Sequence, residues 1–191
     1  MTPRLRRYDG SFEGVRQVVG PLVSVYARVR EPLLHLPNYA VATFAERLER
    51  HSREAGFGAV LAFDAEDRPV GYAYGNTVEE GDRWWTRTGE VDARFTGSPV
   101  LALKEIGVTV AHRGTGLARR VHDALLAGRG EAYVSLMVNA AAGDGKVRRV
   151  YESWGYTAIG TSRPSPGAPV LTSMIRPMSV DGHPVRVRQG P

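Results

Sequence analysis

Ile106-Gly107-Val108-Thr109-Val110-Ala111-His112-Arg113-Gly114-Thr115-Gly116-Leu117-Ala118 decides how this chain is read. Residues 100–110 are mostly apolar and predict a strand. Leu117, Val121, Ala124 and Leu125 fall on one face of a helix expected over about 116–127. A turn carrying Gly114 and Gly116 lies between the two. A helix N-terminus has free N–H groups and a partial positive charge. Glycines let a backbone approach an anion closely. A phosphate or pyrophosphate at residues 114–119 is therefore expected. A nucleoside-triphosphate loop is excluded, because no lysine follows the last glycine. The dinucleotide fingerprint fails as well, because Arg119 stands where a third small residue is needed.

Upstream, residues 3–9 are expected to form a first strand. Phe12, Val15, Val19, Leu22, Val23, Tyr26 and Val29 recur at helical spacing, and Gly20-Pro21 predicts two helical pieces or a kink there. Residues 31–42 read as a loop with two prolines. Thr43-x-x-Glu46 matches a capping box, so a helix is expected over 44–55, ended by Gly56 and Gly58. Residues 59–63 and 70–74 predict an antiparallel hairpin about a polar turn at 64–69. Residues 76–99 read as a long connecting loop, of the kind that is often functional.

Downstream, residues 133–138 predict a strand. Val147, Val150, Tyr151 and Trp154 predict a helix over 146–154 that Gly155 ends. Residues 156–160 and 170–175 close as strands, with a proline-rich connection between them. Residues 179–191 read as a loose tail behind a domain spanning 1–178. The order of elements predicts a mixed α/β (α+β) single domain.

With 191 residues the chain can bury a core without staples. It has no cysteine, which excludes disulfides, thiolate metal sites and a cysteine nucleophile. A cytoplasmic location is expected; no apolar run of spanning length and no signal-peptide pattern is present. The net charge is +5, but the basic residues are scattered and only Lys104 and Lys146 are lysines. No nucleic-acid-binding motif or basic-aromatic stripe appears, so nucleic acid is not expected as a partner. His35, His51, His122 and His183 have no ligand-like spacing, and His112 is expected to be exposed at the turn, so no metal is assigned.

A second segment narrows the ligand. Val147-Arg-Arg-Val-Tyr-Glu-Ser-Trp-Gly-Tyr156 resembles the late helix and turn of the GNAT acetyltransferase superfamily, and Arg113-x-x-Gly116-x-Ala118 resembles the motif with which that family holds the pyrophosphate of acetyl-CoA. The resemblance covers about residues 57–178. It implies a GNAT-type fold with a central mixed sheet flanked by helices, and acetyl-CoA as co-substrate. Ile106 and Val108 match strand positions whose backbone pairs with the pantetheine arm and thioester. Arg113, Gly114, Thr115, Gly116, Leu117, Ala118 and Arg119 match the pyrophosphate loop. Tyr151 matches the tyrosine that protonates the leaving thiolate. Asp144 stands where many members carry asparagine. Two roles stay open for it, a cap on the following helix or a direct contact to CoA, and the cap is favoured.

The implied function is acetyl transfer to a primary amine, on a small molecule or a peptide, by direct attack in a ternary complex. Without cysteine, a thioester acyl-enzyme is excluded. An aliphatic amine has a pKa of about 10, so a base or a water chain must take its proton. Glu105 is the leading candidate, the alternative being a strand glutamate paired with Lys104, Arg119 or another arginine. Glu79, Glu80 and Asp82 are weaker candidates. Trp84 and Trp85 are expected to wall an acceptor pocket; core cover or a homodimer contact are the alternatives. A catalytically silent acyl-CoA-binding module is the competing function.

Overall fold

The structure is a computed structural model and describes residues 2–163 and 169–178. Along the chain run β1 (Arg4–Asp9), α1 (Phe12–Val29), α2 (Val41–Ser52), β2 (Gly58–Phe63) and β3 (Pro69–Val78). Next come α3 (Arg83–Thr86), α4 (Ala93–Thr96), β4 (Val100–Val108), α5 (Leu117–Leu126) and β5 (Tyr133–Asn139). The series ends with α6 (Lys146–Ser153), β6 (Thr157–Ser162) and β7 (Leu171–Pro177). The strands form a seven-stranded mixed sheet in the order β1-β2-β3-β4-β5-β7-β6, and helices flank it. This is the mixed α+β fold that the order of elements predicts. The chain clusters into two compact units, and β4 is shared: Val78–Ala102 and the chain from Arg129 make one, the rest the other.

In the first unit, β1 and β2 pair antiparallel with Arg4 opposite Phe63 and Asp9 opposite Gly58. β2 and β3 form the expected hairpin, Gly58 opposite Gly75. Its turn is tied by Asp64, whose carboxylate accepts from the Glu66 and Arg68 backbone N–H groups at 3.1 and 2.8 Å. Ser11 caps α1 by accepting from Gly14 N–H at 3.1 Å. Of the two outcomes expected at Gly20-Pro21, two separate helical pieces do not form: α1 is one helix through Pro21. Val18 precedes the proline and Leu22, Val25 and Tyr26 follow it, all fully buried. Burial of that stripe outweighs one missing backbone hydrogen bond.

The loop at 31–40 holds two single 3₁₀ turns, Glu31–Leu33 and Pro37–Tyr39. The second leads directly into α2, which therefore starts at Val41 and not at 44. Ala40 is its N-cap and no side chain bonds there, so the expected Thr43 capping box does not form. Phe44 N–H donates to the Ala40 carbonyl at 3.0 Å and closes the first turn without it. The helix also ends earlier than expected, at Ser52. The core of this unit joins Val18, Leu22, Tyr26, Phe44, Leu48, Leu61, Tyr72 and Tyr74. Tyr26 stacks on Phe44 with centroids 3.6 Å apart.

In the second unit, β5 and β7 pair antiparallel with Tyr133 opposite Pro177 and Asn139 opposite Leu171. β6 pairs antiparallel with β7, with a register shift between Ala158 and Gly160. Gly160 has a packing reason: a Cβ there would lie 2.9 Å from the Thr88 carbonyl. The long loop expected over 76–99 is shorter. β3 runs on to Val78, and two one-turn helices follow. Asp82 and Asp92 cap them, accepting from Trp84 N–H at 2.7 Å and Arg94 N–H at 3.0 Å. The sequence therefore carried N-cap residues inside what reads as loop. The tail at 179–191, with His183, and most of the proline-rich connection lie outside the described residues.

Candidate active site

At the end of β4, Thr109 N–H donates to the Val70 carbonyl at 2.9 Å. A 3₁₀ turn over Val110–His112 follows. Thr109 Oγ1 and His112 Nδ1 are hydrogen-bonded at 2.9 Å, and Thr115 Oγ1 donates to the His112 carbonyl at 2.8 Å. His112 is thus half-buried rather than exposed. These bonds hold a turn that presents Arg113, Gly114, Thr115 and Gly116 to solvent.

Gly114 and Gly116 have φ of +74° and +80°, and a Cβ on either would meet nothing within 4 Å. The backbone conformation favours glycine, and the surface beside it is open. Gly116 is the N-cap of α5, and no side chain caps the helix. The first N–H groups of α5 have no acceptor within the helix, and its dipole favours negative charge there. These residues fit a pyrophosphate. Leu117, at 2% exposure, anchors the helix start in the core, while Ala118 and Arg119 are half-buried. The Arg119 guanidinium pairs with Asp123 at 2.7 Å.

Glu105, Ile106 and Val108 lie on the same strand, just before this turn. Glu105 Oε1 accepts from Arg30 Nη2 at 2.9 Å, and the two side chains are 15% and 29% exposed. The glutamate partner is therefore Arg30, not Lys104 or Arg119; Lys104 lies 3.7 Å from Glu54. Among the described residues no hydrogen bond reaches Glu105 Oε2. Burial pulls the Arg30 guanidinium down, but the charge of Glu105 and the nearby Tyr72 leave it raised. Burial first, then the Glu105 charge, raises the phenols of Tyr26, Tyr72 and Tyr74. All three stay protonated at neutral pH.

Gly107 lets this cluster close. A Cβ there would come within 2.7 Å of Val29 Cγ1 and 3.0 Å of Tyr72 Cε1, so the Tyr72 ring lies against bare backbone. Arg47 stands over the Phe44 ring at 5.5 Å, and its charge acts to lower the Tyr26 and Tyr74 phenols against the effect of burial. His51 Nδ1 lies 3.2 Å from the Tyr74 hydroxyl. Burial, then the charges of Lys104, Arg50 and Arg47, push the His51 imidazole down to about 3. Sequence reasoning missed Arg30, Arg47 and His51. Arg47 and His51 on α2, and Arg30 just past the end of α1, stand at positions that read as ordinary surface. The alternation of Tyr72 and Tyr74 was visible, but not what their hydroxyls face.

The second unit holds the remaining candidates. Tyr151 is half-buried, edge-on to Trp154 at 5.4 Å and to Tyr156 at 5.8 Å. No residue of α6 is buried; Val147 and Val150 are 38% and 44% exposed. Tyr151 is thus not a core tyrosine, although its spacing allowed that. Asp144 is exposed with φ of +55°. The favoured cap does not form: Gly145 is the N-cap of α6 and no side chain bonds there. The left-handed turn through Gly143, Asp144 and Gly145 starts the helix instead.

Trp84 and Trp85 sit on the helical turn of α3, not on extended backbone. The Trp85 side chain is 5% exposed, in a core with Val78, Val100, Ala102 and Ile175. Trp84 packs against that core, and its Nε1 donates to Ser135 Oγ at 3.1 Å. Core cover, the alternative to a pocket wall, describes Trp85. Asp82, one of the weaker base candidates, is occupied as a helix cap, and Glu79 and Glu80 are exposed. Among the described residues no group of three or more side chains could hold a metal ion, and no helix is long and apolar enough to cross a membrane.

Thus the first unit brings Glu105, Ile106, Val108 and the 113–119 turn onto one strand–turn–helix, while Tyr151, Asp144, Trp84 and Trp85 belong to the second. Solved structures share this fold. The ribosomal-protein-S18-alanine N-acetyltransferase of Escherichia coli is 16% identical with a TM-score of 0.58, over 94% of this chain and 97% of its own. Arylalkylamine N-acetyltransferase 2 of Aedes aegypti is 12% identical with a TM-score of 0.63, over 92% and 100%. The NatC complex bound to Gag peptide and CoA is 12% identical with a TM-score of 0.62, over 94% and 100%. No curated protein matches the chain. The family model described as the acetyltransferase (GNAT) family matches residues 24–156, more than half of the sequence, and the chain belongs to that family.

Proposed function

We propose that the protein is an acetyl-CoA-dependent N-acetyltransferase that moves an acetyl group to a primary amine by direct attack in a ternary complex. The observation that carries this is the start of α5, where two left-handed glycines and uncapped helix N–H groups leave an open anion cradle. Arg113, Gly114, Thr115, Gly116, Leu117, Ala118 and Arg119 would hold the pyrophosphate. Backbone groups of Ile106 and Val108 would hold the pantetheine arm and stabilise the oxyanion. Asp144 would contact CoA from the turn before α6. The bound thioester supplies the activated acetyl group.

Glu105 takes the amine proton. Its Oε1 is held by Arg30, which fixes the carboxylate, and Oε2 is left to accept. Tyr151 donates a proton as the thiolate leaves. Trp84 is the proposed acceptor contact of the second unit, and Trp85, buried in that unit's core, supports Trp84. The chain works in the cytoplasm. The test is a thermal melt. Acetyl-CoA should raise the melting temperature, and Gly116→Glu should abolish the rise by placing an anion against the pyrophosphate. An unchanged melting temperature of the folded wild type at millimolar acetyl-CoA overturns the assignment.

A further inference from the structure

The polar cluster around Glu105 holds more positive charge than that carboxylate balances. Arg30 is paired with Glu105 at 2.9 Å. Arg47 is half-buried and has no carboxylate within ion-pair distance among the described residues. Its guanidinium lies over the Phe44 ring at 5.5 Å. Phe44 and Tyr26 are themselves fixed by stacking in the core. A guanidinium held over an aromatic ring, with the Glu105 charge nearby but no carboxylate in contact, is arranged to receive a planar anion.

A second observation points the same way. The Tyr72 hydroxyl and Arg30 Nε are buried and have no hydrogen-bond partner, and Tyr72 is 0% exposed. Native proteins rarely leave such groups unpaired. Arg30 Nε can only donate. The unused capacity of the cluster is therefore mostly donors, beside one free carboxylate oxygen on Glu105. That inventory complements a molecule bearing both an ammonium and a carboxylate. It does not complement a polycation, which would meet two arginines.

From this we infer that the acceptor is an amino acid or a similarly short amino-carboxylate. Arg47 receives its carboxylate, and Glu105 faces its amine. The inference rests on the transferase reading above and names the acceptor class of that same site.

The test uses the full chain and matched probes. Glycine, β-alanine, 4-aminobutyrate and L-alanine are each compared with the corresponding amide, with spermidine as a polycation, by release of free thiol from acetyl-CoA. For at least one pair, kcat/KM for the acid should exceed that for the amide by about tenfold or more. Arg47→Gln should raise KM for that acid by about ten- to hundredfold and bring the ratio towards one. Arg47→Lys should recover part of it. The acetyl-CoA melting shift should persist in both variants, which shows that they fold. An acid-to-amide ratio near one or below, turnover confined to spermidine or the amides, or a ratio untouched by Arg47→Gln overturns the inference. Failure of the transferase reading looks different: acetyl-CoA raises the melting temperature, yet no probe releases thiol in any arm.

Discussion

At the scale of single residues, the molecule separates positions that hold shape from those that hold charge. Tyr151 is half-buried among rings on a helix with no buried residue, so its hydroxyl can be removed without opening the core. Tyr151→Phe should lower kcat by roughly one to three decades while the fold and acetyl-CoA binding stay. Wild-type kcat in a pre-steady-state measurement of the chemical step would remove its acid role. His51 makes a different prediction. Its folded pKa is about 3, against an ordinary value of 6.5. The unfolded chain therefore takes up a proton below about pH 6.5 that the folded protein refuses. Its contribution to stability is complete above that pH and is lost as pH falls towards 3. Between pH 6.5 and 5 the wild-type melting temperature should fall more steeply than that of His51→Gln, measured by scanning calorimetry. Parallel slopes would contradict the buried, neutral imidazole.

At the scale of elements, what the sequence disclosed depended on how local the cause was. The strand–turn–helix of β4 and α5 was legible to within a residue or two, because period, glycines and apolar face all act over short range. Pro21 misled, since the stripe that keeps α1 whole is burial against distant residues such as Tyr72. Thr43 misled because the turn at Pro37–Tyr39 already starts the helix. The candidate site was legible where backbone conformation shapes it, at the left-handed Gly114 and Gly116. It was not legible where side chains from separate elements meet, as with Arg30 just past the end of α1 and Glu105 on β4. Trp85 shows the same limit. Paired tryptophans in a polar stretch suggest a binding wall, whereas α3 turns one of them into the core. Trp85→Ala should cost about 3–5 kcal/mol in chemical denaturation. A loss under about 1 kcal/mol would mean that the indole is not part of the core.

At the scale of the whole molecule, membership of the GNAT family and the seven-stranded mixed sheet set the frame within which these residues act. The first unit holds the Gly114–Gly116 turn and the Arg30–Glu105 pair; the second holds Tyr151 and Trp84. Neither carries a metal cluster among the described residues. In the proposed reaction, proton transfers and backbone hydrogen bonds act on two substrates held together. The most direct measurement is amine-dependent release of free thiol from acetyl-CoA by the purified chain, with mass spectrometry of the amine. Thiol release that requires an amine, matched mole for mole by N-acetylated product, is the expected result. Binding of acetyl-CoA with no thiol release and no acetylated product from any amine would contradict it.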